Sequence, residues 1–464
     1  MVQYQTHGTM KCSTNKREGH VDDTTIKPYD WQMPIVEQQN AALRTGRVMV
    51  CSAHTGAGKT VMALQTVKDL GLKTIIVCPK VARTQWRETA EAMKVPPELI
   101  LDITNPEQIT KPRPGKWYSR DTGWTNVPEG ALLIWDEIHR VSGPKSEATR
   151  AIARFGNKSH PTNKLLALSA TLGETPEKFR ALSWWFGWSR FVDSSWYDWL
   201  RAHGCGYVDI GWGRSAKRVF QFTKNKAKAA EVMAGIRRDM GDRFAAIGPD
   251  EIPGFPEEVK EVTLVDLAKR DHDELVRAYA EMPENYKQMS EDDMVKMLRL
   301  RQQAEFSKAL AVAELAETLE SDGYSIFVCL NFTAARERVE EYLRSKKVEF
   351  ASIYGGQRES VRQDGIDAFQ RNDVHVMVGM ADACSVALSL HDKLHQRQRV
   401  SLISPGWSAS SFVQALGRIR RVGGTTAVQK IIIAAGSVEE RVGRAISRKL
   451  SALDALVDAD FIRK

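Results

Sequence analysis

Short, nearly continuous apolar runs alternate along the chain with stretches whose apolar residues recur at helical spacing. In the first half the runs are 47–53 (RVMVCSA), 74–79 (TIIVCP), 131–137 (ALLIWDE) and 164–171 (KLLALSAT). Strands covered on both faces have this composition, whereas a half-solvated strand would alternate with polar residues. Residues 61–70 and 82–93 read as the helices between them. Such a βαβ rhythm builds a parallel sheet. The second half repeats it, with runs at 324–330, 350–354, 374–380, 399–404 and 427–435 and helices expected over 332–346, 360–371 and 410–421. The expectation is an α/β protein with two tandem parallel-sheet lobes.

Between the lobes, from about 175 to 300, the rhythm breaks. Trp184, Trp185, Trp188, Trp196, Tyr197, Trp199 and Trp212 crowd together, followed by Lys217, Arg218, Lys224, Lys226, Arg237 and Arg238. A mostly helical insert is expected here. Its aromatics could form the core of a small subdomain or stack on nucleic-acid bases, and its basic residues could touch a phosphate backbone. Pro253, Gly254 and Pro256 suggest a loop, and 299–321 a long helix leading into the second lobe. The expected division is 1–24 disordered or extended, 25–175 first lobe, 176–300 insert and linker, 301–440 second lobe, and 441–464 a C-terminal helix.

A length of 464 residues suits two or three domains. The formal net charge of +8 favours a polyanionic partner. Six cysteines (Cys12, Cys51, Cys78, Cys205, Cys329 and Cys384) include no C-x-x-C pair, which argues against a zinc ribbon and fits a reducing, cytosolic setting. The first 25 residues lack an apolar core of the signal-peptide kind, and no apolar run is long enough to span a bilayer. A cytoplasmic protein without a membrane partner is expected.

Three segments carry chemistry. Ala53-His54-Thr55-Gly56-Ala57-Gly58-Lys59-Thr60 follows a strand and opens a helix, as a phosphate-binding loop requires. Its small residues let backbone N–H groups surround phosphate oxygens, Lys59 can neutralise them, and the Thr60 hydroxyl can ligate Mg²⁺. Asp136 and Glu137, in Ile134-Trp135-Asp136-Glu137-Ile138-His139, end a buried strand. Asp136 there can hold Mg²⁺ and Glu137 can activate water. In Gln414-Ala415-Leu416-Gly417-Arg418-Ile419-Arg420-Arg421, Arg418 and Arg421 would share one helix face. They could act as arginine fingers on a γ-phosphate, or simply as a solvated or phosphate-binding basic helix.

These three motifs, in this order, resemble a superfamily-2 helicase or translocase. Val77-Cys78-Pro79-Lys80 with Gln85-Trp86, Ser169-Ala170-Thr171, Tyr354-Gly355-Gly356-Gln357 and Pro405-Gly406-Trp407-Ser408 add to the resemblance. It implies tandem RecA-like lobes working with ATP and Mg²⁺. It also implies an adenine-reading role for Gln32, nucleotide contacts from Thr55, Gly56, Ala57, Gly58, Lys59, Thr60 and Gln414, and Mg²⁺ held by Thr60 and Asp136. Catalytic roles are implied for Lys59, Asp136, Glu137, Arg418 and Arg421. Gln85-Trp86, Arg237-Arg238, Lys308 and the 414–421 motif are similar to the branch of chromatin remodellers and fork-remodelling enzymes. Ala383-Cys384-Ser385-Val386-Ala387, where that branch is glycine-rich, and DEIH in place of DEAH or DEGH depart from it. The compact chain resembles a phage or mobile-element helicase. The expected function is an ATP-dependent, monomeric DNA helicase or translocase on duplex, forked or single-stranded DNA. A DExH-type RNA helicase, suggested by His139, and a non-catalytic scaffold with structural ATP are the alternatives.

Overall fold

The strands are β1 (Val48–Ala53), β2 (Thr74–Val77), β3 (Ile100–Thr104), β4 (Tyr118–Ser119), β5 (Gly123–Trp124), β6 (Leu132–Trp135), β7 (Lys164–Ser169) and β8 (Cys205–Ile210). They continue with β9 (Lys217–Phe222), β10 (Phe244–Ile247), β11 (Glu258–Val265), β12 (Ser325–Leu330), β13 (Phe350–Ile353), β14 (Val376–Met380), β15 (Arg399–Ile403) and β16 (Ala427–Ala434). In this computed structural model, residues 25–444 are described apart from 112–114, 142–145, 157–159, 171, 174, 190–192, 211–216, 224, 283–289, 385–387 and 407. Two six-stranded sheets run β10-β1-β7-β6-β2-β3 and β11-β16-β15-β12-β14-β13. Their pairings are all parallel.

Alternation of side chains along each strand explains why the runs are apolar without a break. Val48 and Val50 face one hydrophobic core and Met49 and Cys51 a second, on opposite faces of the first sheet. In the second lobe Phe327 and Cys329 face one core and Ile326, Val328 and Leu330 another. Cys51, Cys78, Cys205, Cys329 and Cys384 are all buried and free, acting as small hydrophobes. Among the described residues, no helix is long and apolar enough to cross a membrane.

The segment expected as a mostly helical insert divides differently. It carries the helices Asp193–Ala202, Lys226–Met240 and Lys269–Ala280. It also holds an antiparallel β8–β9 hairpin. In addition, β10 completes the first sheet beside β1 and β11 completes the second beside β16. β11 lacks the continuous apolar signature, and β10, though apolar throughout, is short. β10 (FAAI) is only 4 residues long. β11 (EVKEVTLV) is a largely exposed edge strand with charges on it.

Its described tryptophans belong to the first-lobe core. Trp185, Trp196 and Trp199 are buried in it, with Trp184, Trp188 and Tyr197 packed against it. Trp196 and Trp199 stack at 4.9 Å. Arg237 is nearly buried, its guanidinium 4.0 Å from the Phe244 ring centroid, and so serves packing. Residues 1–24 with Cys12, Thr171, Trp212, Lys224, 385–387, Trp407 and the 445–464 part of the expected C-terminal helix lie outside the described residues, as do the side chains of Lys217, Arg218 and Lys226.

The long helix, Glu291–Ser321, begins earlier than its apolar spacing suggested. Lys308 on it is fully buried; its Nζ donates to the Ile432 carbonyl at 2.7 Å and pairs with Glu439 Oε2 at 2.5 Å. The Glu439 carboxylate also accepts the Ala434 N–H at 2.9 Å. Removing one partner strands the other's charge inside the lobe. Lys308→Met is expected to lower the unfolding free energy of the second lobe by about 3–5 kcal/mol, with most of it recovered in Lys308→Met/Glu439→Leu. Urea unfolding of both variants checks this; equal losses in single and double variants would contradict it.

Candidate nucleotide site between the lobes

Where β1 ends, the chain wraps through 54–58 into the helix Lys59–Leu70. Gly56 (φ +88°) and Gly58 (φ +75°) hold backbone that side-chain-bearing residues rarely adopt. Gly58 has a second reason to be glycine: a Cβ there would lie 2.4 Å from Gln32 Nε2. That amide donates to the Ala57 carbonyl at 2.7 Å, and Gln32 Oε1 accepts the Tyr29 N–H at 2.9 Å. Gln32, expected to read adenine, therefore braces the phosphate loop itself. Lys59 Nζ folds back to the Ala53 carbonyl at 2.9 Å, and Thr60 lines the cleft on the first turn of the helix.

At the end of β6, Asp136 Oδ2 accepts the Trp86 indole N–H at 3.1 Å and Oδ1 accepts the Glu137 N–H at 3.0 Å. Glu137 has a left-handed backbone (φ +55°), uncommon for a non-glycine residue. Strain of this kind gathers at functional sites. Burial and the neighbouring Glu137 charge raise the Asp136 pKa, against the Trp86 hydrogen bond and Lys59. For Glu137, burial pushes the other way from the net result. The hydrogen bond from His139, with the charges of Lys59 and Arg418, outweighs it and holds the carboxylate below its usual range. Glu137 is thus ionised at neutral pH, the form a water-activating base needs.

His139 joins three motifs. Its Nδ1 lies 2.8 Å from Ser169 Oγ and 3.2 Å from Glu137 Oε2. Its Nε2 lies 3.2 Å from Gln414 Nε2, which also donates to Glu137 Oε2 at 3.4 Å. Since an amide nitrogen only donates, Nε2 is the acceptor and the ring proton sits on Nδ1. Gln414 comes from the second lobe, so the acidic motif of one lobe is hydrogen-bonded to the arginine motif of the other.

Arg418 and Arg421 do not share a helix face. The helix Ala409–Leu416 ends at Gly417, and a turn carries both arginines onward. They converge all the same: Arg418 Nη1 and Arg421 Nη2 donate to one acceptor, the Leu388 carbonyl, at 3.0 and 2.8 Å. Contact with the phosphate loop is close. A Cβ on Gly417 would stand 2.0 Å from Thr55 Oγ1, and one on Gly56 would stand 3.0 Å from Arg421 Cγ. Thr55, Gly56, Gly58, Lys59, Thr60, Trp86, Asp136, Glu137, Arg418 and Arg421 all line one cavity of about 160 Å³.

The cavity's electrostatics call for an anion. Lys59, Arg418 and Arg421 direct their hydrogen bonds at neutral backbone carbonyls. Among the described residues, Arg418 Nε, Arg421 Nε and Thr55 Oγ1 are buried without a partner. Burial lowers all three cationic pKa values, and burial together with repulsion from Arg418 takes Arg421 to about 9. A polyphosphate would satisfy these donors. Among the described residues no cluster of three acidic, histidine or cysteine side chains could cage a metal by itself. Mg²⁺ typically needs no such cage, since it binds one or two protein oxygens plus phosphate and water. Thr60 and Asp136 fit that pattern.

Local sequence showed the phosphate loop and the acid pair. It did not show the partners that arrive from elsewhere: Trp86 on Asp136, Ser169 and Gln414 on His139, and the Leu388 carbonyl under both arginines. Gln85-Trp86 was conspicuous as a motif, but nothing nearby in the chain reveals that its indole reaches an acid 50 positions away.

Arranged in this way, the two lobes make a P-loop nucleoside triphosphatase whose site is complete only when both are present. The chain matches the DEAD/DEAH box helicase family over residues 34–179 and the helicase conserved C-terminal domain over 307–423. Those matches, in that order on two RecA-like lobes, indicate a superfamily-2 helicase, and the chain is an ATP-hydrolysing enzyme rather than a scaffold. A protein of Acanthamoeba polyphaga mimivirus that bears the name of an ATP-dependent RNA helicase is 25% identical over 95% of this chain and 85% of its own length. The ATP-dependent DNA helicase Hel308 of Thermoplasma acidophilum is 27% identical over 34% of this chain and 25% of its own. The human chromatin-remodeling ATPase INO80 is 27% identical over 29% of this chain and 8% of its own.

Proposed function

We propose that this helicase couples ATP hydrolysis between its lobes to movement along DNA. ATP with Mg²⁺ supplies the phosphoryl group whose transfer to water drives the cycle. In this reading the backbone of 55–60 and Lys59 hold the phosphates, Thr60 and Asp136 hold the metal, and Glu137 orients water. Arg418 and Arg421 stabilise charge from the opposite lobe. The observation that carries the proposal is the Gln414 bridge to Glu137 and His139, continued to Ser169. It ties the state of the catalytic carboxylate to lobe apposition, as a motor switched by the γ-phosphate needs. One chain contributes both halves of the site, so a monomer suffices.

Supporting DNA are the DNA helicase and remodelling ATPase among the relatives, while the net charge of +8 fits either nucleic acid. The near full-length likeness to a protein named for RNA favours RNA as the second reading. ATP turnover measured with duplex DNA, single-stranded DNA and RNA at one salt concentration separates them, because phosphate-backbone affinity depends steeply on salt. The expected result is stronger stimulation by DNA than by RNA of equal length. Greater stimulation by RNA would replace the proposal with the second reading, and no stimulation by any of them would remove the coupling.

A further inference from the structure

Between β10 and β11 the chain passes from one lobe to the other through a segment built for stiffness. Ile252-Pro253-Gly254-Phe255 closes a turn, with the Phe255 N–H donating to the Ile252 carbonyl at 3.1 Å and Gly254 at φ +64°. Proline followed by a left-handed glycine in this hydrogen-bonded frame is a type II turn. Pro256 comes next, so the connector has few torsions left to vary.

Phe255, at the exit of that turn, is held from three sides. It packs against the first-lobe core. His54 of the phosphate loop meets it edge-on, with ring centroids 5.2 Å apart at 84°. From the second lobe, the Arg420 guanidinium lies 4.7 Å over its centroid. Burial keeps His54 neutral, its pKa taken down to about 3, so this is a contact between two uncharged rings. Arg420 also clasps the connector, donating from Nε to the Pro256 carbonyl at 2.8 Å and from Nη1 to Glu258 Oε2 at 2.9 Å. That planar fork both stacks and bonds in a fixed direction, which a lysine could not do.

Neither Phe255 nor Arg420 lines the nucleotide cavity. Yet Arg420 immediately precedes Arg421 and stands two positions from Arg418, and His54 immediately precedes Thr55. The stack therefore runs from the phosphate loop, through the connector, to the backbone that carries the arginines. We propose that Phe255 and Arg420 are positioning residues for ATP hydrolysis: they lock the connector to the phosphate loop and thereby set where Arg418 and Arg421 stand across the cleft. This rests on the reading of those arginines as catalytic.

The test is steady-state ATP turnover of the full chain with saturating stimulating nucleic acid, alongside fluorescent ADP binding and thermal melting. Phe255→Ala and Arg420→Gln are expected to lower kcat roughly tenfold to a hundredfold, the scale of a small misplacement of catalytic groups. KM for ATP, ADP affinity and melting should change little. Phe255→Tyr, which keeps the ring, should restore kcat. Should Phe255→Ala not fold, Arg420→Gln carries the test, because it leaves the aromatic packing in place. Unchanged kcat in Arg420→Gln overturns the proposal, as does a loss of kcat that tracks a loss of ADP affinity or that Phe255→Tyr fails to restore. If instead Arg418→Ala and Arg421→Ala turn over like the wild type, the catalytic reading of the arginines is what fails.

Discussion

Lys59→Ala is expected to lower ATP turnover on the order of 10³-fold, the upper scale for removing one pre-organised donor from a reacting centre, and to leave the fold intact. Among the described residues, Lys59 Nζ bonds only to the Ala53 and His54 carbonyls of its own loop, at 2.9 and 3.5 Å. No ion pair among the described residues depends on it. Burial lowers the Lys59 pKa while the Glu137 and Asp136 charges oppose it, so losing the cation has offsetting effects and melting should shift little. Phosphate release with and without nucleic acid, together with a circular dichroism melt, checks both halves. Near wild-type turnover in a folded Lys59→Ala chain would remove the site.

Arg418→Ala and Arg421→Ala should each cost about 10³-fold or more in kcat, as arginine fingers do, with ATP affinity reduced far less. Because both guanidinium groups rest on the one Leu388 carbonyl, they are expected to act as a unit. The double variant should then be scarcely slower than the worse single variant. Single-turnover kinetics of the three variants tests this. Multiplying losses would show two independent contributions, and a loss expressed only in KM would assign the arginines to ground-state binding.

The parts of the molecule legible in sequence are those whose cause is local. A strand covered on both faces is mostly apolar, so β1, β2, β6, β7, β12 and β14–β16 stand out. The phosphate loop was legible because its glycines, lysine and threonine are consecutive. Two edge strands, β3 and β11, carry no such mark, since Asp102 lies in β3 and Glu258, Lys260 and Glu261 in β11, whereas the edge strand β13 shows in the run at 350–354. The helix expected over 410–421 failed at Gly417, where the residue that ends the helix also has to admit Thr55 of the other lobe. The Gln414–Glu137 contact joins residues 277 positions apart. No periodicity encodes such a pair; only the apposition of two finished lobes creates it.

β10 and β11, the strands flanking the connector, each form an outermost strand of their sheet, and β3 and β13 form the opposite margins. The connector thus joins an outermost strand of one sheet to an outermost strand of the other. Neighbouring strands lie about 4.8 Å apart, which places the far margin of a six-stranded sheet roughly 24 Å from the strand next to the connector. A rotation of about 15°, a familiar scale for domain switches, would move that margin by roughly 6 Å, compared with ~3.4 Å per base pair of duplex DNA. If the proposed motor rotates one lobe on the other, the strand order turns a small rotation at the nucleotide into a larger displacement at the outer margins.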